Sequence, residues 1–375
     1  MRLLSLPVMR RAGLAAFTAA LLAGCATPPQ GMVKAPASPD MTALLTAYAE
    51  LKPRPVASLT PEQARMQPTI ADAVKRLQTQ RGMSTAPMPV AEVRDITIQG
   101  ADGSLPTRLY KPVVSGEPQP LILYFHGGGW VIADYDVYDA SARALASKTG
   151  AMVLSVNYRR GPESRFPAAV DDAIASYKWV LANAIVLGGD VRRVALAGES
   201  AGGNLAIDVA IAARDQNLQM PVAQLLVYPV AGTDLTTPSM VDSADAKPLS
   251  KADIEWFVKY YTRGPADLKD PRLDVLGQAD LHGLPPTTIV MAQIDPLRSG
   301  GELLADKLRT AGVDTVSQVY PGTTHEFFGT GAVVAEAREA EDLGASRLKQ
   351  ALAAAQPAAA PAPVATPHRR VRRAH

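Results

Sequence analysis

The chain holds a single cysteine in 375 residues, which excludes an intramolecular disulfide and any thiolate-rich metal site. Aromatic residues make up only 5% and histidines number five, so any histidine-dependent chemistry has few candidates. No apolar run is long enough to cross a bilayer; the stretch Leu14–Leu22 falls well short. Concentrated positive charge is missing as well. Seven of the 38 basic residues are arginines clustered at the two ends (Arg2, Arg10, Arg11, and Arg369, Arg370, Arg372, Arg373). Without them residues 25–350 carry about −5 against 36 acidic residues. A nucleic-acid partner is therefore not expected, because phosphate recognition needs a basic face on the folded body. With 47% apolar and 20% charged residues, the composition is that of a globular protein with a large core.

Residues 1–24 run from arginines through an apolar segment to Ala23 and Gly24, the order of a secretory signal peptide. The sole cysteine follows in Leu22-Ala-Gly-Cys25, which resembles the bacterial lipoprotein processing box. That resemblance implies that Cys25 becomes the first mature residue and carries lipid; an ordinary signal peptide with an accidental cysteine is the alternative. Ala26 in place of Asp then implies an outer-membrane anchor, with the protein in the cell envelope facing the periplasm. Residues 25–40 are rich in Pro, Ala and Gly and read as a tether. Residues 355–375 read as a disordered Ala/Pro-rich basic tail, with contact to an anionic envelope surface and simple solvation both open.

Between these ends, residues 41–354 alternate short apolar runs with helical patterns. The runs Val93–Ile98, Leu105–Tyr110, Leu121–Phe125, Ala151–Val156, Val194–Ala197, Gln224–Tyr228, Thr287–Ala292 and Thr315–Tyr320 predict strands. Helical stretches near 137–149, 167–183, 203–214, 300–311 and 333–354 separate most of the later ones. Such alternation predicts an α/β fold with a mostly parallel central sheet flanked by helices. The turn Ala101-Asp102-Gly103 predicts an antiparallel hairpin at its opening edge. Residues 41–83 and 233–264 interrupt the alternation and are expected to form a helical cap over the carboxyl edge.

Three motifs fall at strand ends. Gly198-Glu-Ser200-Ala-Gly202 follows Val194–Ala197 and opens a helix; its glycines permit the sharp turn that exposes a serine hydroxyl at the positive end of a helix. His126-Gly127-Gly128-Gly129-Trp130 follows Leu121–Phe125, and three glycines allow backbone amides to converge on one oxygen. A phosphate loop would continue with Lys-Ser/Thr, whereas Trp130-Val-Ile follows here. When a serine of this kind leads, an acid and then a histidine come after it in the chain. That order removes His126, while His368 and His375 lie in the tail and His282 sits in a Gly-Pro turn. His325 remains, just beyond a strand. Asp295, at the end of Thr287–Ala292, is the candidate acid. Asp314 and the weaker Asp306 compete but fall at the wrong edge and within a helix.

These residues resemble the hormone-sensitive-lipase-like esterases, bacterial family IV of the α/β-hydrolase superfamily. The matching segments are His126–Trp130, Tyr158-Arg-Arg-Gly-Pro-Glu163 with Phe166-Pro-Ala-Ala169, Gly198–Gly203, Tyr228-Pro229, Asp295-Pro-Leu-Arg298 and His325. Two departures, Asp274-Val275 for Ser-Pro and Arg160-Gly161 for Leu-Ala, lie outside them and bear on substrate preference. The resemblance implies an α/β-hydrolase fold and a serine carboxylesterase acting on short- to medium-chain esters without cofactor or metal. It implies that Ser200 is the nucleophile, His325 the base and Asp295 its orienting acid. It further implies that the amides of Gly128, Gly129 and Ala201 hold the oxyanion while Gly127 shapes the loop. In this family Arg159 and Glu163 are packing or ion-pair residues. Trp130, Tyr135 and Tyr138 stand open between pocket lining and core, and the oligomeric state is not legible. Competing readings are an amidase or lactone hydrolase using the same three residues, and a catalytically silent envelope scaffold.

Overall fold

The computed structural model describes residues 35–355. The readings of a signal peptide, a lipidated Cys25 and a basic tail beyond residue 355 lie outside the described residues.

Among the described residues three α-helices, α1 (Pro39–Glu50), α2 (Pro61–Arg65) and α3 (Ile70–Gln80), precede the sheet. Thr60 and Thr69 start the second and third with reciprocal capping boxes to Gln63 and Asp72. The sheet then opens with β1 (Glu92–Gln99) and β2 (Ser104–Lys111), paired antiparallel across the expected Ala101-Asp102-Gly103 turn. After them come β3 (Gln119–Phe125), α4 (Asp139–Thr149), β4 (Met152–Val156), α5 (Ala168–Leu187), β5 (Gly189–Glu199), α6 (Ala201–Asp215) and β6 (Gln224–Val227). Two helices, α7 (Pro238–Asp242) and α8 (Lys251–Tyr261), intervene before the short α9 (Val275–Gln278). The chain closes with β7 (Thr287–Ile294), α10 (Arg298–Thr310), β8 (Thr315–Thr324) and α11 (Ala335–Ala354). The eight strands form one sheet in the order β1-β2-β4-β3-β5-β6-β7-β8, parallel from β4 to β8. This is an α/β-hydrolase fold.

Side-chain alternation along the central strands divides the core in two. In β3, Leu121, Leu123 and Phe125 join one cluster with Val170 and Tyr177 of α5, Leu205 of α6 and Leu304 of α10. Ile122 and Tyr124 point the other way, toward Leu145 of α4, Leu348 of α11 and Met41 of α1. Burial on both faces explains why these strands read as unbroken apolar runs. The arrangement brings the carboxyl ends of β3, β5 and β7, and the loop after β8, to one edge.

Two early segments serve different ends. Met41, Leu44 and Ala47 of α1 pack into the sheet-face core, whereas Tyr48, Ala64, Arg65, residues 67–70 and parts of the 233–261 stretch border a cavity above the carboxyl edge.

Candidate active site

At the end of β5 the backbone reverses through Ser200, whose φ of 57° and ψ of −118° lie where L-residues are strained by about 1–3 kcal/mol. The surrounding glycines make that turn possible. A Cβ on Gly198 would lie 2.0 Å from the Gly202 carbonyl oxygen, and one on Gly202 would lie 2.0 Å from that of Phe125. Backbone bonds hold the strained residue: its N–H donates to Val227 at 2.8 Å, and its carbonyl accepts from Gly203 and Val230. Ala201 is the first residue of α6, so the hydroxyl stands at a helix N-terminus.

The structure brings His325 and Asp295 to this serine although 125 and 95 positions separate them from it in sequence. His325 Nε2 lies 3.0 Å from Ser200 Oγ, and its Nδ1 lies 2.7 Å from Asp295 Oδ2. All three side chains are buried. The other Asp295 oxygen accepts the Leu297 N–H at 2.9 Å, which fixes the carboxylate at the start of α10. Burial of the imidazole opposes its charge, but the adjacent Asp295, joined by Glu326 and Glu199, outweighs burial and raises the His325 pKa above its ordinary value.

Gly128 and Gly129 face the same cavity as Ser200 and His325. Their φ values of 95° and 58° are open only to glycine at low cost. Space is equally restrictive: a Cβ on Gly129 would lie 2.2 Å from the Phe257 ring, and one on Gly127 would lie 2.2 Å from the Tyr138 hydroxyl. Gly127 therefore sits behind the loop against Tyr138. His126, fully buried, stacks on Tyr158 at 4.4 Å, and that tyrosine's hydroxyl donates to the His126 carbonyl. Desolvation lowers the His126 pKa to about 3, so it is a neutral packing group.

The remaining candidates separate cleanly. His282 is exposed beside Asp280, Asp306 pairs with Arg309 and Asp314 with Arg347, all away from Ser200. Arg159 binds the buried Asp172, and Glu163 binds Arg65 through two bonds of 2.7 Å. Of the three aromatics left open, Trp130 lines the cavity and stacks on Tyr261 at 4.6 Å. Tyr135 lies under the Arg108 guanidinium, and Tyr138 donates to Glu326 at 2.8 Å.

Sequence reasoning missed a second acidic centre behind Ser200 and His325. Glu199, fully buried, accepts from the hydroxyls of Tyr124 and Tyr228, each at 2.5 Å. The Tyr228 ring in turn lies 4.4 Å from the His325 ring. Desolvation pushes the Glu199 carboxyl up to about 7, against the pull of hydrogen bonds from Ser141, Tyr124 and Tyr228. The available signal was an acid at the end of the apolar run Val194-Ala-Leu-Ala-Gly, where nothing in the serine motif requires one.

A strained serine at a strand-to-helix turn, hydrogen-bonded to a histidine that is held by an aspartate, thus sits at the carboxyl edge of an α/β-hydrolase sheet. Residues 122–329 match the family model described as alpha/beta hydrolase fold. The carboxylesterase NlhH of Mycobacterium tuberculosis is 40% identical over 293 residues, which cover 76% of this chain and 91% of that protein. The ethyl acetate hydrolase of Pseudomonas putida is 35% identical over 265 residues, 69% of this chain and 83% of its own. Among solved structures, a hyperthermophilic esterase from Pyrobaculum calidifontis superposes with a TM-score of 0.76 at 37% identity, covering 84% of this chain and 98% of that one. The chain belongs to the hormone-sensitive-lipase-like, family IV branch of the α/β-hydrolase superfamily, and it is a carboxylic ester hydrolase.

Proposed function

We propose that the protein hydrolyses short- to medium-chain carboxylic esters through an acyl-enzyme on Ser200. The observation that carries this reading is the continuous hydrogen-bonded line from Asp295 through His325 to Ser200, opening into a cavity of about 180 Å³ with a mostly apolar lining. Ser200 attacks the ester carbonyl as His325 Nε2 takes its proton. The resulting oxyanion is received by the amides of Gly128, Gly129 and Ala201, and removing one such donor typically costs about 3 kcal/mol of transition-state stabilisation. The imidazolium, stabilised by Asp295, protonates the departing alcohol. Water activated by the same histidine then releases the acid and restores the hydroxyl.

Turnover of p-nitrophenyl esters from acetate to decanoate, compared between wild type and Ser200→Ala, tests the assignment. Activity is expected to fall to background in the variant and to peak at the shorter chains; full activity without Ser200 would overturn it.

We further propose attachment to the bacterial envelope through lipid on Cys25, a reading supported by the Leu22-Ala-Gly-Cys25 sequence alone. Cys25→Ser is expected to move the enzyme from the membrane fraction to the soluble one; continued retention would contradict it.

A further inference from the structure

The cavity that holds Ser200 and His325 is the smaller of two neighbouring spaces. A second, of about 790 Å³, lies among α3, α4, the loop after His325 and the start of α11. Three side chains, Ile70, Val137 and Glu326, line both spaces and so form the wall between them. Glu326 is the unusual member. It follows His325 directly and adopts a φ of 65°, a conformation that costs a non-glycine residue free energy. Its Oε1 accepts from the Tyr138 hydroxyl at 2.8 Å, and Tyr138 is itself buried against Gly127. A charged side chain on a strained backbone, fastened across the gap by a tyrosine, is a built partition.

The far side of this partition suits a hydrocarbon chain. Ala71, Val74, Ala144 and Phe328 supply apolar surface there. Of the charged groups that also border the space, Arg143 pairs with Asp139, Lys148 with Glu341 and Asp342, and Arg108 with Asp136, while Arg338 donates to the Gly331 carbonyl and Lys75 stands at the border.

Building on the ester-hydrolase reading, we propose that Glu326, held by Tyr138, is a specificity-determining residue. It closes the catalytic pocket against the larger cavity and so limits chain length, and that cavity accepts the distal methylenes of an ester when the wall is opened. Val137→Ala thins the wall without touching the histidine loop. Glu326→Gly removes the partition and suits the positive φ.

The test is kcat/KM on p-nitrophenyl butyrate and decanoate for wild type and both variants, with melting temperatures recorded alongside. The decanoate-to-butyrate ratio is expected to rise at least about tenfold in either variant, mainly through a lower KM for decanoate, since each accommodated methylene is worth a factor of about ten or more. Adding Ala71→Trp, which fills the second cavity from α3, is expected to return the Val137→Ala ratio to the wild-type value. An unchanged ratio in folded Val137→Ala and Glu326→Gly overturns the proposal, as does a raised ratio that Ala71→Trp leaves untouched. Failure of wild type to hydrolyse butyrate overturns the ester reading instead.

Discussion

The Tyr228 hydroxyl donates to Glu199 Oε2 at 2.5 Å while its ring lies 4.4 Å from the imidazole of His325. A buried acid thus stands one residue before the strained serine and one ring away from the histidine. Its titration has a consequence for stability.

Desolvation raises the folded-state pKa of Glu199 from 4.5 to about 7. A raised carboxyl stabilises the fold fully below its unfolded pKa, and that contribution is lost as pH rises through the folded value. The loss approaches about 3 kcal/mol once the group is forced to ionise. Glu199→Gln, which keeps the shape and cannot ionise, is expected to melt progressively higher than wild type as pH rises from 5 to 8. Calorimetry across that range checks it; melting curves that stay parallel at every pH would contradict it.

Asp295 raises the pKa of His325, and the proposed mechanism requires the neutral ring. The acid limb of kcat/KM is therefore expected above pH 6.5. Asp295→Asn removes the favourable charge, moves that limb to lower pH and lowers kcat by about 10³–10⁴-fold. A pH–rate profile of the two proteins on one ester measures both effects. An unmoved limb would show that the charge does not act through the histidine.

Gly129→Ala places a methyl group on the Phe257 ring at a φ of 58°. The loop must shift and its amides leave the oxyanion position. A loss of about 10²–10³-fold in kcat is expected with a much smaller change in KM. Steady-state kinetics decide it, and a variant affected only in KM would place these amides outside the transition state.

Asp172 is completely buried and accepts from the Arg159 backbone and guanidinium and from the Ala101 N–H. It ties the β1–β2 turn to α5, far from Ser200 in role. Asp172→Ala leaves Arg159 with the exposed Asp102 as its partner and strips the Ala101 N–H of its acceptor, and is expected to cost about 1–3 kcal/mol of stability. Denaturant unfolding provides the number, and a loss below about 1 kcal/mol would count against the clamp.

The sequence was most readable where one physical requirement dominated. Leu121–Phe125 is buried on both faces, so its composition alone marks it as a central strand, and the glycines at 127–129, 198 and 202 announce close backbone approaches. His325 was found by elimination because so few histidines exist. Legibility failed where tertiary context decided. β8 continues through Pro321 and Gly322 to Thr324, beyond the expected end at Tyr320, because it pairs only with β7 and an edge strand tolerates a proline. Likewise, β5 begins at Gly189 rather than Val194, its early part pairing with Gln119 across a register shift in β3. Glu199 and Glu326 look like solvent-facing acids in one dimension. Only the fold surrounds the first with Tyr124 and Tyr228 and sets the second against Tyr138.

The central claim, that Ser200 is the nucleophile activated by His325, is tested most directly by mass spectrometry of the folded protein after exposure to a fluorophosphonate ester. The account predicts one phosphonyl adduct, mapped to the peptide containing Ser200, formed rapidly in wild type, greatly slowed in His325→Ala and absent in Ser200→Ala. An adduct on another residue, or an equal adduct in Ser200→Ala, would contradict it.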